Sequence, residues 1–293
     1  KDMSQFEAQP GIDVLYKKNE TNDIFTLISV FNTGTENDPA LNLAFNYLSY
    51  LGTDKMTAEE IASEMYDIAC SFYMNAGANQ SSIQITGLSE NMGKAMEIVE
   101  GLIAGAKPDE AILENLKGDM LKSRADAKLN QSRCFGALQR YLFYGGDFIR
   151  RTTLTDPALQ ALTSEQLLAK IGGLMGKQHE VLYYGPQKET EIKSALAEHH
   201  KVAADLQPLE KKFSALLPTD ANKVVLAQDD AKQLYYLQFS NRGEKFDVAA
   251  DPEITLYNEY FGGGMNTIVF QEMREARGLA YSAWATLATP SNA

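Results

Sequence analysis

The side chains that could do metal or nucleophilic chemistry are few. Three histidines (His179, His199, His200) and two cysteines (Cys70, Cys134) are the whole stock in 293 residues. A hydrolytic zinc site needs three side-chain ligands and a general base, commonly with two histidines on one helical face. His179-Glu180 is followed by Val181, Leu182 and Tyr183, so the second histidine of His-Glu-x-x-His is absent and the segment reads as a strand. His199-His200 closes a polar helix beside Glu198, where an imidazolium can meet the last helix carbonyls. Two histidine sites that are separated in sequence and have no cysteine nearby make no ligand set. No metal or cofactor is therefore expected in this chain, and no catalytic residue.

Nucleophilic chemistry fares no better. No Gly-x-Ser-x-Gly elbow is present, and each cysteine sits in an apolar stretch, which reads as a buried thiol and not a disulfide. Gly262-Gly263-Gly264 has the flexibility of a phosphate loop but lacks the Lys-Ser/Thr finish and falls between two helical stretches, so it reads as a tight corner. Glu110 and Glu114 share a helical face that reads as solvated. Asn19-Glu20-Thr21, Asn79-Gln80-Ser81 and Asn130-Gln131-Ser132 fit the glycosylation pattern, one short enough to arise by chance.

Composition narrows the partners. Lys plus Arg total 27 against 39 Asp plus Glu, a formal net charge of −12, so a nucleic acid or an anionic membrane meets a repelling average surface. No uninterrupted apolar run approaches the roughly 18 residues of a membrane span. The opening Lys1-Asp2-Met3-Ser4 has no hydrophobic signal core and no initiating methionine, which reads as an excised or mature stretch whose compartment is unknown.

The elements that must position any site emerge from periodicity. Residues 12–17 and 24–31 are rich in β-branched and aromatic side chains around the polar turn Asn19–Asp23, predicting two opening strands. Leu41, Phe45, Leu48 and Leu51 recur at helical spacing up to Gly52. Thr57-Ala58-Glu59-Glu60 is a capping box opening a second helix, and strands are predicted near 70–76 and 82–88. Helices then dominate to residue 198, interrupted by a strand at Val181–Tyr184. Pro208, Lys211-Lys212 and Pro218 sit in an aperiodic stretch that reads as a connector, 201–222.

Beyond the connector the chain repeats its opening at an offset of 209 residues. A strand at Leu234–Phe239 corresponds to the one at Ile24, and a strand from Leu279 to about 287 to the one at Cys70. The next counterpart would begin near residue 291, so the second copy reads as truncated, with an unpaired edge at 279–287 open to another chain. The expected fold is α+β: a complete domain at 1–200, the connector, and a truncated second copy at 223–293, each an antiparallel-type sheet with a helical layer.

One segment is specific enough to name a family. Phe261-Gly-Gly-Gly-Met-Asn-Thr-Ile-Val-Phe-Gln-Glu-Met-Arg-Glu-Ala-Arg-Gly-Leu-Ala-Tyr281-Ser resembles the pitrilysin/insulinase zinc peptidases, whose domains carry a glycine corner, a helix ending Arg-Glu-x-x-Gly-Leu-Ala-Tyr, and a strand. Leu51-Gly52-Thr53, Thr57–Ile61 and Leu88-Ser89-Glu90-Asn91 extend the resemblance over almost the whole chain. That family's catalytic half carries His-x-x-Glu-His on the helix before Leu-Gly-Thr. Here the same place holds Leu43-Ala44-Phe45-Asn46-Tyr47, and no histidine occurs before residue 179 whatever the register.

The resemblance therefore implies the non-catalytic, C-terminal half of such a peptidase, or a separate partner subunit. In the family two halves close around an unfolded peptide, and the inactive half contributes an arginine and a tyrosine that reach the zinc held by the catalytic half. Arg274 and Tyr281 have the spacing of that pair and are the candidate substrate-binding residues; Arg277 fits the spacing less well. Two plainer readings stand beside this one: Arg274 pairing with Glu275, and Tyr281 packing as a core strand residue. The implied partners are the zinc-bearing half, on the same polypeptide or another, and a peptide substrate. The alternative function is a scaffold subunit that processes nothing. Export is frequent among bacterial relatives, so the resemblance implies an envelope or periplasmic location.

Overall fold

A computed structural model describes residues 3–209, 214–230, 232–243, 245 and 247–288. They form two compact units, Lys1–Ala215 with Val225–Tyr235, and Leu216–Val224 with Tyr236–Ala293.

The first unit is a six-stranded sheet carrying its helices on one face. Its strands are β1 (Ser4–Gln9), β2 (Ile12–Lys18), β3 (Ile24–Phe31), β4 (Cys70–Ala76), β5 (Ser81–Leu88) and β6 (His179–Gly185). They lie in the order β1-β2-β6-β3-β5-β4, every neighbouring pair antiparallel except β2 with β6. Strict alternation decides which face is buried: Ile12, Val14 and Tyr16 on β2, Phe25, Leu27 and Phe31 on β3, and Val181 and Tyr183 on β6 all point inward. The strand β1 was not expected, because Ser-Gln-Phe-Glu-Ala-Gln has little β propensity; Gly11, at φ +86, turns it onto β2 as a hairpin.

Helix starts obey capping chemistry. In α2 (Ala58–Asp67) the Thr57 hydroxyl accepts from Glu60 N at 3.2 Å while Thr57 N donates to the Glu60 carboxylate at 2.8 Å. Thr163 and Gln166 close the same box on α7 (Ser164–Met175). Asp109 caps α4 (Glu110–Lys128), Asn130 caps α5 (Gln131–Thr152), and Thr155 with Pro157 opens the short α6 (Asp156–Ala161). The remaining helices of this unit are α1 (Leu41–Leu48), α3 (Met92–Gly105) and α8 (Glu189–His199).

The helix α1 is packed on both sides, against β4 and α7. Leu41, Leu43, Ala44, Phe45, Tyr47 and Leu48 are all buried. At its entry Gly34 lies against the β4–β5 hairpin so closely that a Cβ would stand 2.4 Å from the carbonyl oxygens of Gly77 and Ala78. The fully buried Tyr47 hydroxyl accepts from Asp109 N at 2.7 Å and donates to Ser164 Oγ at 2.8 Å, tying α1 to the starts of α4 and α7.

The second unit holds α9 (Asp251–Phe261), a short helical turn α10 (Ile268–Phe270) and a π-helical turn, Gln271–Ala276. The glycine triplet is a corner: a Cβ on Gly262 would stand 2.2 Å from Ala285 O, and Asn258 holds the same passing chain through Leu287 N at 2.7 Å and Leu287 O at 2.9 Å. The strands expected at 234–239 and 279–287 are not formed. In the first unit β5 lies between β3 and β4 and pairs with both, and its counterpart would begin near residue 291. Propensity alone does not make a strand, because a strand exists only through its ladder to a neighbour.

Two substitutions test this packing. Tyr47→Phe leaves Asp109 N and Ser164 without their partner and should lower unfolding free energy by about 1–2 kcal/mol in urea titration. Installing the peptidase motif as L43H/N46E/Y47H should cost about 3 kcal/mol or more and bind no stoichiometric zinc, because two of the three positions are enclosed by apolar side chains.

Candidate functional site

The sequence stretch most specific to a peptidase folds as a helical turn that ends abruptly. The π-helical turn Gln271–Ala276 is closed by Gly278, whose φ of +58 is the left-handed conformation that favours glycine. Gly278 N donates to Arg274 O at 3.0 Å and Leu279 N to Met273 O at 2.9 Å, a helix-closing pair widened by the π-helical register. The reversal brings Tyr281 back over the turn that carries Arg274.

Arg274 stands between two rings. Its guanidinium carbon is 4.8 Å from the centroid of Phe270 and 4.9 Å from that of Tyr281, both within cation–π range. Nε also lies 3.6 Å from a Glu275 carboxylate oxygen, an ion pair too long for a hydrogen bond. The plainer reading of Arg274 thus coexists with the stacking. The plainer reading of Tyr281 fails: its residue is 86% exposed and belongs to no strand. Arg277 is engaged elsewhere, with Glu272 at 3.4 Å. A guanidinium and a phenol held together and open to solvent can present positive charge and an O–H donor to one anionic oxygen.

The histidines, apart in sequence, meet in space. His179, first residue of β6, and His200, which ends α8, are 21 residues apart, and their Nε2 atoms are 2.8 Å apart. His200 Nδ1 is 2.6 Å from Glu100 Oε1 on α3, and His179 Nδ1 is 2.8 Å from the carbonyl of Lys177. His200 is the helix-end residue expected, the C-cap of α8 with its N donating to Leu196 O at 2.9 Å, but its ring is buried among side chains and is not solvated. The sequence signal was available: His179 leads the inward alternation of Val181 and Tyr183. The groups form a chain and not a cage, because the carboxylate occupies the ring nitrogen of His200 opposite to the one facing His179. Among the described residues no three His, Cys, Asp or Glu converge as a metal site.

Other candidate groups have structural employment. Glu114 pairs with the buried Lys117 at 2.8 Å, and Glu110 accepts from Ser164 N at 3.4 Å, so neither merely lines a solvated face. Burial pushes the Cys70 thiol up, the direction of an inert cysteine. Asn19 is buried with its amide donating to Ile24 O at 3.0 Å, and Asn130 caps α5, so these two sequons serve the fold.

No protein-family model matches the chain. It is 23% identical over 265 residues to an uncharacterized zinc protease of Streptomyces coelicolor, a match covering 84% of this chain and 56% of that protein. The chain thus spans little more than half of this curated relative. Among solved structures it is similar to a peptidase M16 inactive domain from Pseudomonas fluorescens, with a TM-score of 0.73 and 17% identity over 99% of this chain and 71% of that one. It is also similar to the periplasmic protease PqqL of Escherichia coli, with a TM-score of 0.67 and 13% identity over 79% of this chain and 26% of that one. The chain thus has the α+β fold of an M16 inactive domain and resembles the non-catalytic half of the pitrilysin/insulinase zinc peptidases.

Proposed function

We propose that this chain is the catalytically silent half of a zinc endopeptidase or oligopeptidase, binding peptide and completing the chamber of a zinc-bearing half. In this reading residues 1–200 are the complete domain, 201–222 the connector and 223–293 a truncated second copy of the same fold, although neither 234–239 nor 279–287 is a strand. The supporting observation is the stacked pair: Arg274 lies 4.9 Å from the ring of Tyr281, whose hydroxyl has no hydrogen bond among the described residues. The absence of any histidine before residue 179 supports the silent assignment.

Zinc in the partner half would activate water and polarise the scissile carbonyl. The contribution of this chain is to the oxygen on which charge then accumulates. Tyr281 donates its phenolic hydrogen bond to that oxygen, and Arg274 supplies a fixed cation whose geometry is held by Phe270 and by Tyr281 itself. Such donors accelerate a reaction only if they bind the developing oxyanion better than the ground-state carbonyl.

The test combines this chain with the catalytic half and monitors cleavage of an unstructured peptide. Tyr281→Phe keeps the ring that stacks on Arg274 and removes only the donor, so kcat should fall by about 10²-fold with little change in KM. An unchanged rate, with the two halves still associated, would leave the scaffold reading in its place.

A further inference from the structure

We propose that the Arg274–Tyr281 pair is a receptor for the terminal carboxylate of a peptide, so that the N-terminal product of a cleavage is retained after its bond is broken. The source of that carboxylate rests on the peptidase reading, whereas the binding is a property of this chain alone.

Arg274 is fixed in place with its hydrogen-bonding groups unengaged. Its guanidinium carbon lies over the Phe270 ring at 4.8 Å and over the Tyr281 ring at 4.9 Å. Such contacts act through the ring face and occupy no N–H group, so the side chain keeps its donors. Nε has a Glu275 oxygen at 3.6 Å, beyond hydrogen-bond length, and among the described residues no acceptor is bonded to either terminal nitrogen. Glu272, the other acid of the π-helical turn, is taken by Arg277 at 3.4 Å. The Arg274 side chain is 35% exposed, so a ligand can reach it from solvent.

The donor set selects the ligand. A guanidinium edge holds two N–H groups in a fixed fork, which matches the two oxygens of a carboxylate and not the single oxygen of a carbonyl. The exposed Tyr281 carries a phenolic donor beside it. Net charge decides between one carboxylate and an acidic tract. At −12 the chain repels an extended polyanion, whereas a single terminal charge meets the guanidinium well inside the Debye length of about 8 Å.

Peptide hydrolysis makes such a group. The oxygen of water bonds to the scissile carbonyl carbon, the C–N bond breaks with its electron pair on nitrogen, and both hydrogens of that water end on the departing amine. The carbonyl carbon becomes a carboxylate. Donors that serve one oxygen during the reaction then face a ligand that fits them better, and the N-terminal fragment inhibits the next turnover. Glu275 is a built-in competitor, since its exposed carboxylate is the anion nearest to Arg274 without bonding to it.

Titration of the 293-residue chain with N-acetyl-trialanine, as the free acid and as the C-terminal amide, tests the receptor, with the Tyr281 ring signals followed by NMR. The acid should bind about tenfold or more tighter than the amide. Arg274→Lys keeps the charge and removes the fork, so most of that preference should vanish. Glu275→Gln removes the competitor and should tighten the acid about threefold. Equal affinity of acid and amide for the wild-type chain, or a full acid preference in Arg274→Lys, would overturn the proposal. In the assembled enzyme the acid should inhibit competitively, and equal inhibition by the amide would contradict product retention. An unchanged cleavage rate in Tyr281→Phe would remove the catalytic reading alone, because the acid–amide comparison needs no turnover.

Discussion

The double-sided burial of α1 is the constraint from which the functional reading descends. A helix squeezed between a sheet and another helix buries most of its circumference, and in α1 only the stripe of Asn42 and Asn46 stays exposed. Leu43, Phe45 and Tyr47 belong to the buried part, and the only polar tip among the three is satisfied by Asp109 and Ser164. Histidines at positions 43 and 47 would have to be desolvated before any ion arrived to compensate them, a cost larger than the typical margin of a single interaction. The packing that stabilises the first unit thus fills positions 43 and 47 with apolar and aromatic side chains, and the candidate groups that solvent can reach lie elsewhere.

Those groups lie in the second unit, where packing is looser and geometry is set by local devices. Gly278 closes the helical turn, the π-helical register displaces the closing hydrogen bonds by one residue, and two aromatic rings fix a guanidinium that would otherwise sample many rotamers. A cation held by rings keeps its hydrogen-bonding edges available, which an arginine buried in carboxylates does not. Stacking and the weak Glu275 pairing are compatible, since the acid touches Nε at 3.6 Å and leaves the terminal nitrogens unengaged by it.

Much of this was legible in the residue string because local rules and the fold agree. The capping boxes at Thr57 and Thr163, the alternation along 12–17 and 24–31, and the helical stripe of Leu41, Phe45 and Leu48 each specify an element without help from distant residues. Legibility ended where pairing decided the outcome. Residues 4–9 become a strand because Gly11 folds them onto β2, whereas 234–239, with better β propensity, form no strand. The encounter of His179 with His200 was hidden for a similar reason: it depends on α8 running back along β6, which no spacing of histidines reveals. The stacking of Tyr281 on Arg274 required the reversal at Gly278, visible in sequence only as a stop.

The central claim is that the described residues assemble no hydrolytic metal site and that the chain acts in proteolysis, as proposed, through another module. Metal analysis of the purified chain after exposure to excess zinc and gel filtration, paired with a peptide-cleavage assay of the same fractions, addresses it most directly. Substoichiometric zinc and no cleavage are expected. One equivalent of retained zinc together with turnover by the chain alone would contradict it.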